Sequence, residues 1–414
     1  MYQINRNVIS AKNRHISKIN NQIFVSLGFF AAFPIILLIG QNVLLFLLLF
    51  LFYTISKKRK LIQFNSVIQI IPVLFALGAI FSVLNILNKD TESVSRAVQV
   101  LPNYIYWSFL LFLFVAHREL FIKKYFYISK GIMYGLVVSI VYFFIQFLIP
   151  ELFFLQKVTP NQFSFMCVCF TPIGIYHLKS INKKKLGYIL AFISIIANAY
   201  AGRRAGTVLI FAGSLITLNL SNNFFSSTFK LVLVFIFIIC MLQLDITKDY
   251  MFNNSPRVYD MLYNGDDVSK EDRSVLFRKA MVEKGLSIFE KNMLFGIGLN
   301  NFGLDNTAIS GNFEGAKFVK NKNLQKSSHN SYILILAEGG LCLIIPFVLI
   351  LLTPIVIFFI YQKRIPIYLK PVYISVLLMS IHLYYISAIV NVFAWVLLSI
   401  VLSISTIVIN KKNI

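Results

Sequence analysis

The sequence predicts an all-α, polytopic integral membrane protein with about 12 transmembrane helices and one large extracytoplasmic loop that contains an amphipathic helix. Of its 414 residues, 58% are hydrophobic and only 13% are charged, and the mean hydropathy is +0.75. Soluble domains carry about 25% charged residues. Several apolar runs reach the roughly 20 residues that a helix needs to cross a bilayer. Because an open sheet would leave backbone groups unsatisfied in lipid, these runs are expected to be helices.

The apolar runs divide the chain into three parts. An N-terminal bundle of about nine spans covers residues 1–245, a large external loop covers 246–328, and a C-terminal group of spans covers 329–414. The predicted spans lie at about 23–40, 42–56, 67–87, 98–116, 131–149, 161–178, 186–201, 205–220, 229–245, 332–360, 371–388 and 390–409.

Charge predicts the orientation of these spans. With the N-terminus in the cytoplasm, the inner loops carry most of the basic residues, as in the basic run 57–60. The short outer loops balance their bases with acids, which is the positive-inside pattern. Both termini are therefore predicted to be cytoplasmic. The net charge of +23 follows from this topology, so no nucleic-acid partner is expected.

The predicted outer loop contains a helix followed by a glycine-containing segment. Residues 273–291 place apolar side chains at helical spacing with charges on the other side, and Asp272 is a candidate N-cap. The segment 294–302 follows, with Gly296 and Gly298. These glycines are expected to permit a sharp turn or a close backbone approach. No strand precedes them, so a dinucleotide-binding fold is not supported.

Four polar positions at the outer face could form a reaction site. Arg203 and Arg204 break the positive-inside pattern, so they either reach lipid phosphates from the interface or form an anion site. Arg273 begins the amphipathic helix, as a surface charge or as a second phosphate ligand. His329 stands where the loop re-enters a span, and it either has a capping or interfacial role or exchanges protons.

Metal and nucleotide chemistry have little support in the sequence. The outer side shows no His or Cys pair at metal-ligand spacing, and no Walker-type phosphate loop is present. No metal site and no cofactor are therefore predicted. The four cysteines lie in apolar runs and are expected to be small buried hydrophobic residues; they are Cys167, Cys169, Cys240 and Cys342.

Four motifs follow one another around the external loop. They are Ala201-Gly202-Arg203-Arg204-Ala205-Gly206; Asp272-Arg273-Ser274 with Lys279-Ala280; the segment 294–302; and His329-Asn330-Ser331-Tyr332-Ile333 with the segment 336–341. This arrangement, over about residues 190–360, resembles the Wzy polymerase and WaaL ligase family of bacterial O-antigen and capsule proteins. The chain departs from that family at Gly202, where a serine is usual, and at Met293, where a proline is usual.

The resemblance implies a metal-independent membrane glycosyltransferase. Its substrate would be an undecaprenyl-diphosphate-linked oligosaccharide at the outer face of the cytoplasmic membrane. In this role Arg203 or Arg204, together with Arg273, would stabilise the leaving diphosphate, and His329 would orient or deprotonate the acceptor hydroxyl. Glu338 and Asn330 would support the site, with Glu338 holding the imidazole or capping a neighbouring helix. A flippase and a chain-length regulator of the same pathway are the expected partners, besides the lipid bilayer.

Three functions remain open at this stage. The first is a polysaccharide polymerase, which a composition rich in Asn, Lys and Ile favours because it is typical of AT-rich, often Gram-positive genomes that encode capsules or exopolysaccharides. The second is an O-antigen ligase that transfers finished glycan to a lipid A core or a protein. The third is a flippase or transporter, for which charged residues buried within the spans would be expected.

Overall fold

The computed structural model describes residues 21–33, 67–148, 158–220, 273–304, 328–387 and 391–410, and these residues form helices joined by turns, with no strand. This confirms the all-α class. The helices are α1 (Asn21–Ala32), α2 (Ile70–Leu84), α3 (Thr91–Ala116), α4 (Arg118–Lys123), α5 (Tyr125–Leu148), α6 (Pro160–Ser180), α7 (Lys184–Tyr200), α8 (Arg204–Asn219), α9 (Arg273–Lys291), α10 (Ser331–Ile360), α11 (Lys370–His382) and α12 (Val392–Asn410).

Several of these helices are apolar enough to cross a membrane. By length and hydropathy, α3, α10 and α12 qualify together with Tyr125–Gln146 of α5, and α1, α2, α8 and the segment Ile367–His382 are shorter apolar helices. The chain is thus a multi-pass membrane protein. The count of twelve spans and the large loop stay predictions, because the predicted second and ninth spans and most of the loop lie outside the described residues.

Helix α6 lies at the centre of one group of helices. It contacts α5, α7, α8 and α11, and its side chains from Phe163 to Ile175 are buried. It begins with a capping box, in which the Thr159 hydroxyl accepts from the Gln162 amide and the Gln162 side chain accepts from the Thr159 amide. Cys167 and Cys169 are buried free thiols, as predicted, whereas Cys342 is partly buried and Cys240 lies outside the described residues.

A second group, formed by α2, α3, α10 and α12, packs around stacked aromatic rings. The Trp107 and Trp395 rings lie parallel, with centroids 5.0 Å apart, and Phe75 contacts Trp395 at 5.1 Å. Offset aromatic pairs add to the stability that burial alone provides. Helix α10 belongs to this group and also contacts α11 of the first group. The two groups therefore meet at α10 and α11.

Helix α10 is broken at Gly340. This residue has φ +59° and ψ −158°, so the helix divides into a short first segment and a longer second one. A break inside a membrane helix leaves backbone groups that must find partners. Here the partners come from the segment after α9, through four backbone hydrogen bonds: Leu341 N to Met293 O (2.8 Å), Cys342 N to Leu294 O (3.1 Å), Ile297 N to Ala337 O (3.0 Å) and Gly298 N to Glu338 O (3.0 Å).

The structure confirms two predictions about this region. Helix α9 spans Arg273–Lys291, as predicted for the amphipathic helix, and it packs against α10. Gly296 (φ +69°) and Gly298 (φ +98°) have left-handed backbones, and a Cβ on Gly296 would collide with the Glu338 backbone. The glycines therefore allow the segment to enter the break in α10. Asp272, the candidate N-cap of α9, lies outside the described residues.

Replacing Gly340 with alanine should destabilise the protein. A left-handed backbone costs a non-glycine residue about 1–2 kcal/mol, and the new Cβ would lie 2.5 Å from the Leu294 carbonyl oxygen. Overpacking of this kind adds about 1–3 kcal/mol. Thermal unfolding in detergent measures the effect. Gly174→Ala is the matched control, because its Cβ would come closest to the ends of two flexible side chains, Leu190 at 3.1 Å and Leu136 at 3.4 Å, and no backbone atom would lie nearer than 3.8 Å. Equal unfolding temperatures for the two variants would contradict the role given to the break.

Candidate active site at the ends of α8, α10 and α11

The segment that contains His329 is bound to the residues at the C-terminal end of α11. The Ser331 amide donates to the Leu383 carbonyl (2.9 Å), and the Ser331 hydroxyl donates to the Ile386 carbonyl (2.7 Å). The next residue of α10 adds a third bond, because the Tyr332 hydroxyl donates to the Ser380 carbonyl (2.8 Å). These contacts fix the start of α10 against the end of α11.

Asn330 is the N-cap of α10. Its side-chain oxygen accepts from the amides of Tyr332 (3.0 Å) and Ile333 (3.2 Å), which have no acceptor within the helix. The cap explains why α10 begins at Ser331. The capping role that the sequence left open for His329 is thus performed by Asn330.

His329 has an unusual backbone conformation. Its φ of +53° lies in the left-handed region, which non-glycine residues seldom adopt. Ser328 holds this turn, because its hydroxyl donates to the Asn330 carbonyl and accepts from the Asn330 amide. The His329 side chain is half-buried, whereas Ser328 and Asn330 on either side are buried. Such conformations persist only where the surrounding structure holds them, and they cluster at functional sites.

The turn between α7 and α8 gives its two arginines different environments. Gly202 adopts φ +67°, the left-handed conformation that commonly ends a helix. The Arg203 amide then donates to the Asn198 carbonyl (3.2 Å), and α8 begins at the next residue. Arg203 is half-buried, whereas Arg204 is exposed.

Helix α11 packs against both α8, which follows the arginine turn, and α10, which follows the His329 segment. Its last residue, His382, is 2% exposed, and its ring stacks on Phe165 of α6, which follows Ser164 beside the first turn of α8. The next residue, Leu383, accepts the hydrogen bond from Ser331. The arginine turn and the His329 segment therefore both lie near the C-terminal end of α11. His382 was not predicted as a site residue, because its only signal in the sequence is that of a polar residue at the end of an apolar run.

Glu338 lies deeper in α10 and contacts a different part of the protein. It is nine residues after His329, which is about 13 Å along a helix. Its buried carboxylate accepts from the Phe302 amide (3.2 Å) and hydrogen-bonds with the Asn300 amide. Its carbonyl accepts from the Ser82 hydroxyl (2.7 Å). Glu338 thus stabilises the segment that fills the break in α10. Of the two roles that the resemblance implied for it, the contacts favour the structural one.

Replacing Glu338 should therefore change stability more than activity per folded molecule. Glu338→Ala leaves the amides of Asn300 and Phe302 without their acceptor, at a cost of about 1–3 kcal/mol for each buried group. Glu338→Gln retains an acceptor oxygen and should be milder. The measurements are the unfolding temperature and the activity per folded protein. Loss of activity in the glutamine variant at unchanged stability would instead assign Glu338 a direct part in the reaction.

Arg273 is the first residue of α9, and its side chain lies outside the described residues. Gly285 marks where α9 passes the start of α10, because it packs against Ile333. Arg273 precedes Gly285 by twelve residues, or about 18 Å of helix. Its part in the site stays a prediction.

A comparison with known proteins supports the function suggested by these features. Residues 189–348 match the Wzy_C family model, which is described as O-antigen ligase. The match contains the arginine turn, α8, α9, the break in α10 and the His329 segment. No curated protein matches the chain. Residues 189–348 therefore carry a domain of the Wzy_C type, and this match supports the resemblance to the Wzy and WaaL family and a function of the O-antigen polymerase or ligase type.

Proposed function

We propose that this protein is a polysaccharide polymerase that joins undecaprenyl-diphosphate-linked oligosaccharide repeat units. A hydroxyl of a new lipid-linked repeat attacks the anomeric carbon of the growing chain. A glycosidic C–O bond forms, the bond from the anomeric carbon to the diphosphate oxygen breaks, and undecaprenyl diphosphate leaves. The reaction takes place at the outer face of the cytoplasmic membrane, and the product is a capsule, an exopolysaccharide or an O-antigen.

The observation that carries this proposal is the position of Arg203 and His329 around the end of α11. Arg203 supplies a fixed positive charge, and the Ser331 contacts hold the His329 segment beside the same helix. One side of such a site can bind a diphosphate while the other contacts an acceptor hydroxyl. Arg203, together with Arg273, binds the diphosphate in this account, and Arg204 remains a surface residue.

The division of roles is chemically balanced. Diphosphate is a good leaving group, so the barrier falls mainly when positive charge stands where negative charge develops. Guanidinium groups suit this task because they bind phosphate oxygens in pairs and stay protonated. This chemistry needs no metal ion. The hydroxyl proton is accepted by His329 or passes to water while His329 orients the acceptor. Asn330 supports the site by capping α10 beside His329, and Glu338 supports it from deeper in α10 by holding the segment that fills the helix break.

The proposed membrane topology follows from the distribution of charged residues between the loops. Both termini lie in the cytoplasm, and the 246–328 loop faces outward with the ends of α8, α10 and α11. The substrate then arrives in the outer leaflet after translocation by a flippase, and a chain-length regulator of the same pathway is a natural partner. This orientation can be tested with cysteine-labelling reagents that do not cross the membrane.

The second candidate function is an O-antigen ligase, which the description of the matched family model favours. A deletion strain separates the two functions. Loss of a polymerase should leave single repeat units on the surface acceptor, whereas loss of a ligase should leave long polymer unattached on its lipid carrier. The second result would reject the polymerase proposal and retain the glycan transfer chemistry.

A transporter has less support. It calls for charged residues along a pathway through the spans, and Glu338 in α10 is satisfied by backbone amides of the adjoining segment. Chain elongation by purified protein in detergent, where no compartments exist, would exclude a function limited to transport.

A further inference from the structure

Beside the arginine turn lies a group of buried polar atoms with no hydrogen-bond partner among the described residues. They are both ring nitrogens of His382, the hydroxyl of Ser164 and the side-chain oxygen of Asn198. Ser164 and Asn198 are fully buried, and His382 is 2% exposed. Buried polar groups are nearly always hydrogen-bonded, because leaving them unpaired is costly. A cluster of this kind therefore indicates a place where another molecule completes the hydrogen bonds.

The cluster is adjacent to Arg203. Asn198 accepts the Arg203 amide through its backbone carbonyl (3.2 Å). A Cβ on Gly206, in the first turn of α8, would collide with the Ser164 hydroxyl and lie 3.0 Å from the Asn198 side-chain oxygen. Because Gly206 has no side chain, the Ser164 hydroxyl and the Asn198 side-chain oxygen can both lie against the first turn of α8.

His382 faces the same region from α11. Its ring lies nearly parallel to that of Phe165, with centroids 5.8 Å apart, and Phe165 follows Ser164 in α6. An imidazole can donate one hydrogen bond and accept another when neutral. A buried donor beside a guanidinium suits a ligand with several anionic oxygens, and phosphate groups have this chemistry.

We propose that His382 is a substrate-binding residue, which donates a hydrogen bond to the diphosphate of the lipid-linked glycan beside Arg203. This inference rests on the proposed function and adds a second histidine to its site. The Phe165 ring holds the imidazole in place, so the donor is oriented before the substrate arrives. His329 acts on the acceptor hydroxyl, whereas His382 acts on the leaving group.

The test is binding of undecaprenyl diphosphate, the reaction product, to purified protein. His382→Leu should weaken binding by about tenfold or more, the usual effect of losing a hydrogen bond to a charged group. His382→Gln keeps an N–H donor and should retain most of the affinity. Because both residues contact one ligand group, the His382→Leu and Arg203→Ala effects should be less than additive when combined.

The matched control is His177→Leu. His177 is also 2% exposed, but it lies near the other end of α6, where its ring nitrogen bonds to the Ser129 hydroxyl (3.0 Å). Its replacement tests whether the loss of any buried histidine weakens binding, and it should leave affinity unchanged. If His382→Leu does not fold, His382→Phe carries the same comparison, since it can stack on Phe165 and has no donor.

The outcomes separate the inference from the function on which it rests. Wild-type affinity in a folded, donor-free His382 variant, with weakened binding in Arg203→Ala, overturns the role of His382 and leaves the proposed function standing. Equal losses in the leucine and glutamine variants at unchanged stability would assign the effect to packing and also overturn it. No binding of undecaprenyl diphosphate by the unaltered protein would reject both.

Discussion

Replacing Arg203 with alanine should lower glycan polymer formation by roughly 10²–10³-fold, the usual effect of removing one positioned group that stabilises developing charge. Arg203 is half-buried beside His382 at the end of α11, where the leaving diphosphate is proposed to bind. The bond from its amide to Asn198 involves only backbone atoms, so alanine can keep the turn. Polymer formed per folded protein is the measurement.

Arg204→Ala is the matched control for this experiment. Arg204 is adjacent in sequence, carries the same charge and is exposed, so its loss should change activity by no more than a few-fold. Arg203→Lys should be intermediate, since lysine retains the charge and loses the planar pair of donors. Equal activity of the Arg203 and Arg204 alanine variants would contradict this assignment and indicate that the turn interacts with lipid phosphates.

Replacing His329 should have the other large effect. His329→Ala should reduce turnover by roughly 10²–10⁴-fold if the imidazole acts as a general base. The turn that contains His329 is held by hydrogen bonds of the Ser328 and Ser331 hydroxyls with the backbone of Asn330 and Ile386, and the alanine variant retains these bonds. The variant should therefore fold normally and still bind undecaprenyl diphosphate, so the loss should appear in turnover more than in affinity.

His329→Asn separates the two roles that remain open for this residue. Asparagine tolerates the left-handed backbone at this position and can hydrogen-bond a hydroxyl, but it cannot accept a proton near neutral pH. Activity close to that of the alanine variant would identify a base. Activity recovered to within about tenfold of wild type would identify an orienting role. Full activity in both variants would remove His329 from the reaction.

The sequence predicts the helices of this protein well, because a membrane span has a characteristic length and hydropathy. The described helices follow the predicted spans to within several residues, and α9 has the predicted bounds. The break at Gly340 could not be predicted, since two adjacent glycines permit many conformations. It depends on backbone bonds from Met293 and Leu294, nearly fifty residues earlier in the chain.

The candidate site was predictable in its residue types and only partly in its arrangement. The two arginines were indistinguishable in sequence, and they differ because the turn at Gly202 leaves Arg203 half-buried and Arg204 exposed. Glu338 was expected near His329, yet its contacts are with the amides of Asn300 and Phe302. His382 was missed because its relation to Arg203 joins α11 and α8, which are distant in the chain.

The most direct test of the central claim is chain elongation by the purified protein. The reaction would contain only this protein and undecaprenyl-diphosphate-linked repeat units, and the products would be separated by length. We expect a ladder of glycans that grows by whole repeats, with one undecaprenyl diphosphate released for each bond formed, and a ladder weaker by roughly 10²–10³-fold from the Arg203→Ala variant. Unchanged substrate in the presence of folded, substrate-binding protein would contradict the account, as would transfer only to an added lipid A core or protein acceptor.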